Sequence, residues 1–523
     1  MKAILLSKGR RLKLKLTLEQ YAKAINGKPV NGCPVEALVT DVTCDSRNVK
    51  KGMLFAAYRG PEVDGHSFLA SAFASGAVAA VVQDKARLGN FPGLVVDNSQ
   101  KAWSRICALY SGNPSKKMKV IGITGTNGKT TIHWLVHHAL YKLNAPCIRI
   151  GSLGISAEGR VERSGKVQTL HAGEIVMTTP GAKEIHTSLK LALDAGIETC
   201  ALETSSHALH QHRVSDVSYD TCVFTNLTPD HLNYHADMEE YFQVKVGLFK
   251  QLARERALKN ELKTGGAVIN TDCPYGRRLV DLAGDLNLPV ITFGFERNPD
   301  LKIKRFEQSV QGSVLYLEYQ NNSCHIQTNL IGNYNGSNLA AAFASLVSLG
   351  YDPAQTARAL NDLPVVPGRL EPVGNDDVAV FVDYAHTGVG LESLLTAVKP
   401  FVQNKLWVLF GCGGGKDPRK RIDMGAAAKK VADCIVLTND NPKNEDPDKI
   451  IEEILQSGCK PVFIEKDRGK AIHRLLKQTE KGDVVFLVGK GHEDYQIIGN
   501  ETSYFSDREE AIKGRELGLL DKS

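Results

Sequence analysis

Short apolar runs that end in polar or glycine-rich residues recur through the last third of the chain. They read VAVFVDYAH (378–386), LWVLFGCGG (406–414), CIVLTND (434–440), PVFIEKD (461–467) and VVFLVGKGH (484–492), separated by helical stretches such as 392–402. Continuous apolar runs of this kind predict strands buried on both faces of a parallel sheet, with functional loops at their carboxyl ends. The middle of the chain alternates in the same way. VIGITGTNGKTT (120–131) opens it, and the strand-like TCALETSS (199–206) and TCVFTNL (221–227) follow between helical runs. Two punctuations divide the chain: SGNPSKKMK (111–119), and LPVVPGRLEP (363–372) with its three prolines and one glycine. The pattern predicts an α/β protein of three domains, 1–116, 117–364 and 365–523. The second would carry a mostly parallel sheet, and the third would be doubly wound and Rossmann-like. The length of 523 residues fits that division at about 150 residues per domain.

Composition narrows the class. The longest weakly polar run, SFLASAFASGAVAAVV (67–82), falls short of the roughly 20 apolar residues a membrane span needs. It breaks at Gly76, so it predicts a helix, a turn and a buried strand. The net charge of +6 is local, because MKAILLSKGRRLKLKL (1–16) holds Lys2, Lys8, Arg10, Arg11, Lys13 and Lys15 and no acid. Without those six, 58 basic residues face 58 acidic ones, and a neutral body offers no nucleic-acid groove. The apolar part of that segment is too short for a signal-peptide core, and the alternation in LKLKL predicts an edge strand or a basic tail. Eleven cysteines show no CxxC pair, and Cys200, Cys222 and Cys434 sit inside apolar runs as small hydrophobes. That usage argues against a disulfide framework or a zinc site and fits a reducing cytoplasm.

The chemistry begins at GITGTNGKTT (122–131), a glycine-rich turn between an apolar strand and the helical TTIHWLVHHALYKL (130–143). Glycines let backbone N–H groups approach a phosphate, a helix N-terminus favours anions, and Lys129 can reach the outer phosphates of a nucleotide. Gly125, Thr126, Asn127, Gly128, Lys129, Thr130 and Thr131 form this candidate ATP loop, with the Thr130 hydroxyl placed to hold Mg²⁺. The spacing is unusual, since Ile123 stands where the common motif needs glycine. A purely structural glycine turn explains the Lys-Thr-Thr helix start less well. His133 and His137 share a helical face but lack the carboxylate of a metalloprotease motif, so packing or surface roles are expected. Glu203 at a strand end is the natural second holder of nucleotide-bound Mg²⁺, the alternative being a helix cap. His207, His231 and His235 with Asp230 suggest zinc by counting alone. Their oxygen-rich company favours magnesium, with the histidines around the substrate and His231 among the candidate catalytic residues.

At this point the sequence resembles the Mur ligase family over nearly its whole length. DSRNVKKGMLFAAYRG and DGHSF resemble the family's uridine-binding domain, and GTNGKTT its shortened ATP loop. TTP and ETSSHAL…RV resemble its muramoyl-peptide contacts. NLTPDHLNYH with MEEYFQVKVGLF resembles the segment holding a carbamylated lysine, here Lys245. GNYNGSNLAAA, PGRLE, VDYAHT, GCGGGKDPRKR, DNPKNEDP and GKGHEDYQ complete the series. The resemblance implies phosphorylation by ATP of the D-glutamyl carboxylate of UDP-MurNAc-L-Ala-D-Glu, then attack of an amino acid on the acyl phosphate. It implies two Mg²⁺ ions, held by Thr130, Glu203 and carbamylated Lys245, and a monomer. It places Asn335, Asn338, Arg369, Asp383 and His386 on the nucleotide. Ser46, Thr178, Thr179, Ser205 and Arg213 fall to the UDP-linked dipeptide. Asp440, Asn441, Pro442, Lys443, Gly489 and Glu493 fall to the amino acid.

Three departures touch loop detail: Asn233 for a second Asp, Gly415 and Lys416 within the family's GGDRD, and Gly388-Val389 after Thr387. Rival readings are a folylpolyglutamate synthase, a catalytically silent scaffold and a regulatory GTPase. The DSR segment and DNPK argue against the first, and the lack of an N-K-x-D motif against the last. The loop TNDNPKNEDP (438–447) carries the choice of amino acid. Family members often have Arg where this chain has Lys443, against the distal carboxylate of meso-diaminopimelate. A lysine keeps the charge but loses the planar fork. It would still repel the bare ammonium of L-lysine, so meso-diaminopimelate is expected.

Overall fold

The computed structural model describes residues 16–60, 63–158, 170–172, 177–232, 234–258, 264–309, 312–374, 377–415 and 417–520. Most of the basic N-terminal segment, Asn233 and Lys416 lie outside the described residues. Each predicted block carries its own sheet. The first is five-stranded, in the order Lys28–Val30, Gly93–Val95, Ala79–Val82, Leu54–Ala56, Val42–Thr43. SFLASAFASGAVAAVV forms a short helical turn, the helix Leu69–Ala74, a break at Gly76 and the buried strand Ala79–Val82.

The central sheet has eleven strands among the described residues. Its middle is parallel, with Thr221–Phe224, Lys119–Thr124, Thr199–Glu203 and Cys147–Gly151 side by side. Antiparallel strands extend both flanks. One face packs under helices Lys129–Lys142 and Asn333–Ser348 through Ile132, Val136, Leu339 and Phe343. Met238–Leu258 and Ala182–Asp194 cover the other face through Phe249, Leu252, Ile185 and Leu189. Burial on both faces explains why these strands read as unbroken apolar runs rather than alternating ones.

The third sheet runs Glu371–Pro372, Ala379–Asp383, Val484–Val488, Leu406–Phe410, Cys434–Leu437, Phe463–Ile464. All neighbours are parallel except the first pair. The strand Val484–Val488, last in chain order, sits near the middle, so its carboxyl end and those of Ala379–Asp383 and Leu406–Phe410 open onto one crevice. All eleven cysteines are free thiols. Among the described residues no helix is long and apolar enough to cross a membrane.

His137 and His186 are wholly buried in the central domain, and burial pushes both imidazoles down to about 3. In the unfolded chain they protonate near the ordinary value of 6.5. Below that pH the unfolded state therefore binds more protons, so stability is full above it and falls as the pH drops toward 3. At pH 5 the two together should cost roughly 2–4 kcal/mol. Urea midpoints at pH 7 and pH 5 measure this, and His186→Leu should flatten the fall; an equally steep fall in that variant would refute the assignment.

Candidate active site

The phosphate loop is held open by its neighbours. Gly125 has φ 144°, and a Cβ there would lie 1.9 Å from the Thr225 hydroxyl oxygen. Gly128 has φ 89°, and its Cβ would lie 2.3 Å from Asn338 Oδ1. Only glycine allows both the conformation and the close approach. The segment after strand Thr221–Phe224 braces the loop: Thr225 donates to the Asn127 carbonyl at 2.6 Å, and Asn226 accepts the amides of Thr126 and Asn127. Lys129 donates to the carbonyls of Gly125 (3.0 Å) and Thr126 (2.7 Å), so its ammonium is folded over the loop rather than extended into solvent. Asn338 donates to Asn335, which is anchored on the Ile331 carbonyl.

Lys129, Thr130, Glu203 and Lys245, scattered over more than a hundred residues of sequence, meet here. Thr130 donates to Glu203 at 3.0 Å, and Ser152 adds its amide at 2.9 Å and its hydroxyl at 3.3 Å. Glu203 is fully buried, and burial pushes its carboxyl up against the opposing pull of Lys129. It is not a free helix cap, since Ser205 caps the helix that follows. Lys245 is 1% exposed, donates to the Gly125 carbonyl at 3.0 Å, and rests 4.5 Å above the Tyr241 ring. Burial, with Lys129 beside it, drives its amine far below the usual lysine range. A buried carboxylate and a hydroxyl beside a phosphate loop are hard oxygen ligands, which suit Mg²⁺. Lys245 fits that set only as an oxygen-bearing carbamate. Behind it His133 is wholly buried, with Nδ1 3.7 Å from Glu203.

The candidate dipeptide contacts form a second cluster on the same strand ends. Thr179 donates to the Glu203 carbonyl at 2.8 Å and accepts the Ser205 amide at 3.0 Å, while Arg213 donates to the Thr179 carbonyl. Thr178 adjoins them, half-buried. Ser46 lies apart on the first-domain turn Ser46–Asn48, which Asp45 caps. Lys183 ties the two domains together through Asp41 (2.8 Å) and the Val42 carbonyl (2.6 Å). The histidines stack instead of converging on one point: His207 meets His231 edge-on at 4.8 Å and Tyr234 at 4.1 Å, and His235 stacks on Tyr241. His231 holds a left-handed backbone at φ 56°, and burial lowers its imidazole to about 3, so it is neutral at ordinary pH.

The third domain closes over this centre. Arg369 stacks on Tyr384 at 4.4 Å and reaches Thr130 at 3.5 Å. Asp383 accepts the amides of Leu370 (2.8 Å) and Ala385 (2.7 Å), and its carbonyl accepts the Gly489 amide at 3.1 Å. His386 is exposed, with Nδ1 3.1 Å from the Tyr384 carbonyl. In the crevice, Asn441 donates to Glu493 at 3.0 Å and accepts from Lys490 at 3.2 Å. Asp440, Asn441 and Pro442 are buried. Burial pushes the Glu493 carboxyl up and Asp440 adds to it, while Lys490 opposes. Lys443 stands at the edge of this crevice. Its backbone, left-handed at φ 55°, joins the Tyr495–Ile498 hairpin by accepting the Gly499 amide (2.8 Å) and donating to the Ile497 carbonyl (3.2 Å), and its side chain is exposed at the rim.

Sequence reasoning missed Ser152, Tyr384, Lys490 and Lys420. Lys490 and Lys420 stood inside quoted motifs, but nothing in the spacing distinguished a buried lysine from a solvated one. Ser152 lies in no motif, and its role follows only from the pairing of Cys147–Gly151 with Thr199–Glu203.

The family described as "Mur ligase middle domain" matches residues 123–346, "Mur ligase, glutamate ligase domain" residues 368–491, and "Mur ligase family, catalytic domain" residues 38–109. The UDP-N-acetylmuramoyl-L-alanyl-D-glutamate–2,6-diaminopimelate ligase of Thermosynechococcus vestitus is 38% identical, over 90% of this chain and 92% of its own. The protein of the same name from Geobacter metallireducens is 38% identical over 96% of this chain and 99% of its own. A solved structure of a ligase of that name has a TM-score of 0.67 at 28% identity, covering 97% of this chain and all of its own.

Proposed function

This chain belongs to the Mur ligase family, and from that premise we propose that it joins meso-diaminopimelate to UDP-MurNAc-L-Ala-D-Glu at the expense of ATP. The observation that carries the reading is the Lys129–Glu203–Lys245 centre tied, through Arg369 on Thr130 and His492 on Ser152, to the domain whose charged crevice is built from Asp440, Asn441, Lys490 and Glu493. The γ-phosphoryl group passes from ATP to the D-glutamyl carboxylate, releasing ADP and leaving an acyl phosphate. The amine of the incoming amino acid then attacks, phosphate leaves, an amide forms, and the amine's proton is released.

The residues divide this work. Lys129 and the loop amides hold the triphosphate in line, which is most of what phosphoryl transfer asks of a protein. Thr130 and Glu203 would hold Mg²⁺, which supplies charge neutralisation. Lys245, kept neutral by burial, can add CO₂ at Nζ and lose a proton, giving a carbamate that completes the oxygen set. Thr179, Ser205 and Arg213 orient the dipeptide end. Arg369, Asp383 and the Asn335–Asn338 pair hold the nucleotide. The third domain covers the centre and keeps water from the acyl phosphate. His231, kept neutral, would line the centre as a hydrogen-bond partner for the incoming amine rather than as the acceptor of its proton.

Selectivity lies at the far end of the crevice. The side chain of meso-diaminopimelate ends in an ammonium and a carboxylate. Glu493 and Asp440 suit the ammonium, and Lys443 at the rim suits the carboxylate. ADP release measured with UDP-MurNAc-L-Ala-D-Glu and, separately, meso-diaminopimelate, L-lysine and L-ornithine tests this. Turnover with meso-diaminopimelate about fivefold more efficient than with L-lysine is expected, because L-lysine brings the ammonium for Glu493 and Asp440 but no carboxylate for the rim-exposed Lys443. Preference for L-lysine would overturn the amino-acid assignment.

A further inference from the structure

Helix Arg419–Val431 opens with three consecutive basic residues, and two of them face opposite sides of the interdomain cleft. Successive side chains leave a helix about 100° apart, so Lys420 and Arg421 meet different neighbours. Arg421 is 1% exposed and turns into the third domain. It pairs in parallel with Glu445 at 2.8 and 2.7 Å, reaches Glu453 at 2.6 Å, and donates to the Gly413 carbonyl at 3.3 Å. Glu445 also accepts the Gly415 amide (2.8 Å), and the Gly414 amide donates to the Asn441 carbonyl (2.9 Å). The helix start and the amino-acid loop therefore move as one body.

Lys420 turns the other way and crosses to the central domain. Its ammonium donates to Asp230 Oδ1 at 2.5 Å, where the lysine side chain is 22% and the aspartate side chain 5% exposed. Asp230 follows the segment that braces the phosphate loop, and its other oxygen lies 3.4 Å from His231 Nε2. Among the described residues two further hydrogen bonds span the cleft, one between His492 Nε2 and the carbonyl of Ser152 (3.1 Å), the residue that also holds Glu203, and one from Arg369 to the Thr130 hydroxyl (3.5 Å). A carboxylate this buried is costly without its partner, whereas both groups regain water if the domains part. The pair joins residues of two different domains, so it can be made only while those domains lie against each other.

We propose that Lys420 and Asp230 form the latch that holds the third domain closed on the central domain, making Lys420 a positioning residue for the amino-acid substrate. Closure carries the loop clamped by Arg421 up to the reaction centre, so the amino-acid crevice is complete only when the latch is made. The UDP-linked dipeptide is held by the first and central domains, so its binding does not depend on the latch. This inference rests on the ligase reading above.

The test compares Lys420→Met, Lys420→Arg, Asp230→Asn and the Lys420→Met/Asp230→Asn double variant. It measures ADP-release kinetics, calorimetric binding of UDP-MurNAc-L-Ala-D-Glu, and the radius of gyration by small-angle scattering. Lys420→Met and Asp230→Asn should each raise the amino-acid KM roughly tenfold and enlarge the particle, with dipeptide binding unchanged. The double variant should be no worse than the weaker single, and Lys420→Arg should stay within about threefold of the unaltered protein, because it keeps the cation. An unchanged amino-acid KM and radius in Lys420→Met overturns the latch. So does additive loss in the double variant, loss of dipeptide binding in both singles, or Lys420→Arg as impaired as Lys420→Met. Failure of the ligase reading looks different: the unaltered protein would release no ADP with any amino acid, while scattering would still report the latch.

Discussion

Lys245→Met is expected to lower kcat by roughly 10²–10³-fold while raising the midpoint of thermal unfolding. The two directions share one cause. Lys245 is buried at 1% exposure beneath the phosphate loop, and burial together with Lys129 keeps its amine far below the usual lysine range. A neutral, desolvated amine is what CO₂ addition requires, and the proposed carbamate would supply the oxygens that an ammonium cannot. Methionine matches the side chain in length and packs against Tyr241 without a polar head to desolvate. Replacing a buried polar group by an apolar one of similar volume is often neutral or stabilising by about 1–4 kcal/mol. The hydrogen bond from Lys245 to the Gly125 carbonyl is lost in exchange, so a gain near the lower end is expected. Steady-state ADP release and calorimetry on the same preparation measure both. Activity retained within about tenfold would end the proposed role of Lys245. Stripping the unaltered protein of bicarbonate and restoring it should lower and recover turnover.

Gly125→Ala should weaken nucleotide binding by at least about thirtyfold while leaving the other two domains intact. The new methyl would lie 1.9 Å from the Thr225 hydroxyl oxygen and about as close to the Asn226 backbone as contact allows, at 3.0 and 3.1 Å. The backbone at φ 144° adds strain for any residue with a Cβ. Strain and overpacking together cost roughly 2–6 kcal/mol, which corresponds to at least about a thirtyfold loss of ATP affinity. Binding of a fluorescent ATP analogue reads the loss, and binding of UDP-MurNAc-L-Ala-D-Glu serves as the control for folding. ATP affinity within about threefold of normal would show that the loop relaxes around the methyl, contrary to the packing described.

Much of the fold was legible because its strands are buried on both faces. VVFLV and LWVLF are unbroken apolar runs, TCALE has an apolar middle, and the ends of these strands carry the polar residues that line the site. The phosphate loop was legible for a local reason: glycines, a lysine and two threonines act within one turn, so their spacing is their geometry. Glu203 and Lys245 were legible as candidates, but their union was not. It depends on strand Thr199–Glu203 pairing beside Lys119–Thr124 and on helix Met238–Leu258 crossing beneath it. Lys443 shows the limit most clearly. Its charge can be read from the sequence, whereas the direction of its side chain follows from a backbone twist locked by the Tyr495–Ile498 hairpin. The chain pattern by itself determined the three α/β domains and the nucleotide loop, since each depends on neighbours close in sequence, whereas the role expected of the 438–447 loop came from the family resemblance. Only the tertiary structure decided which charges are buried, and with whom: Glu203 with Thr130 and Ser152, Lys490 with Asn441, Lys420 with Asp230. Burial and pairing are set by contacts between segments far apart in the chain, and those contacts fix both the cost of a charge and its direction.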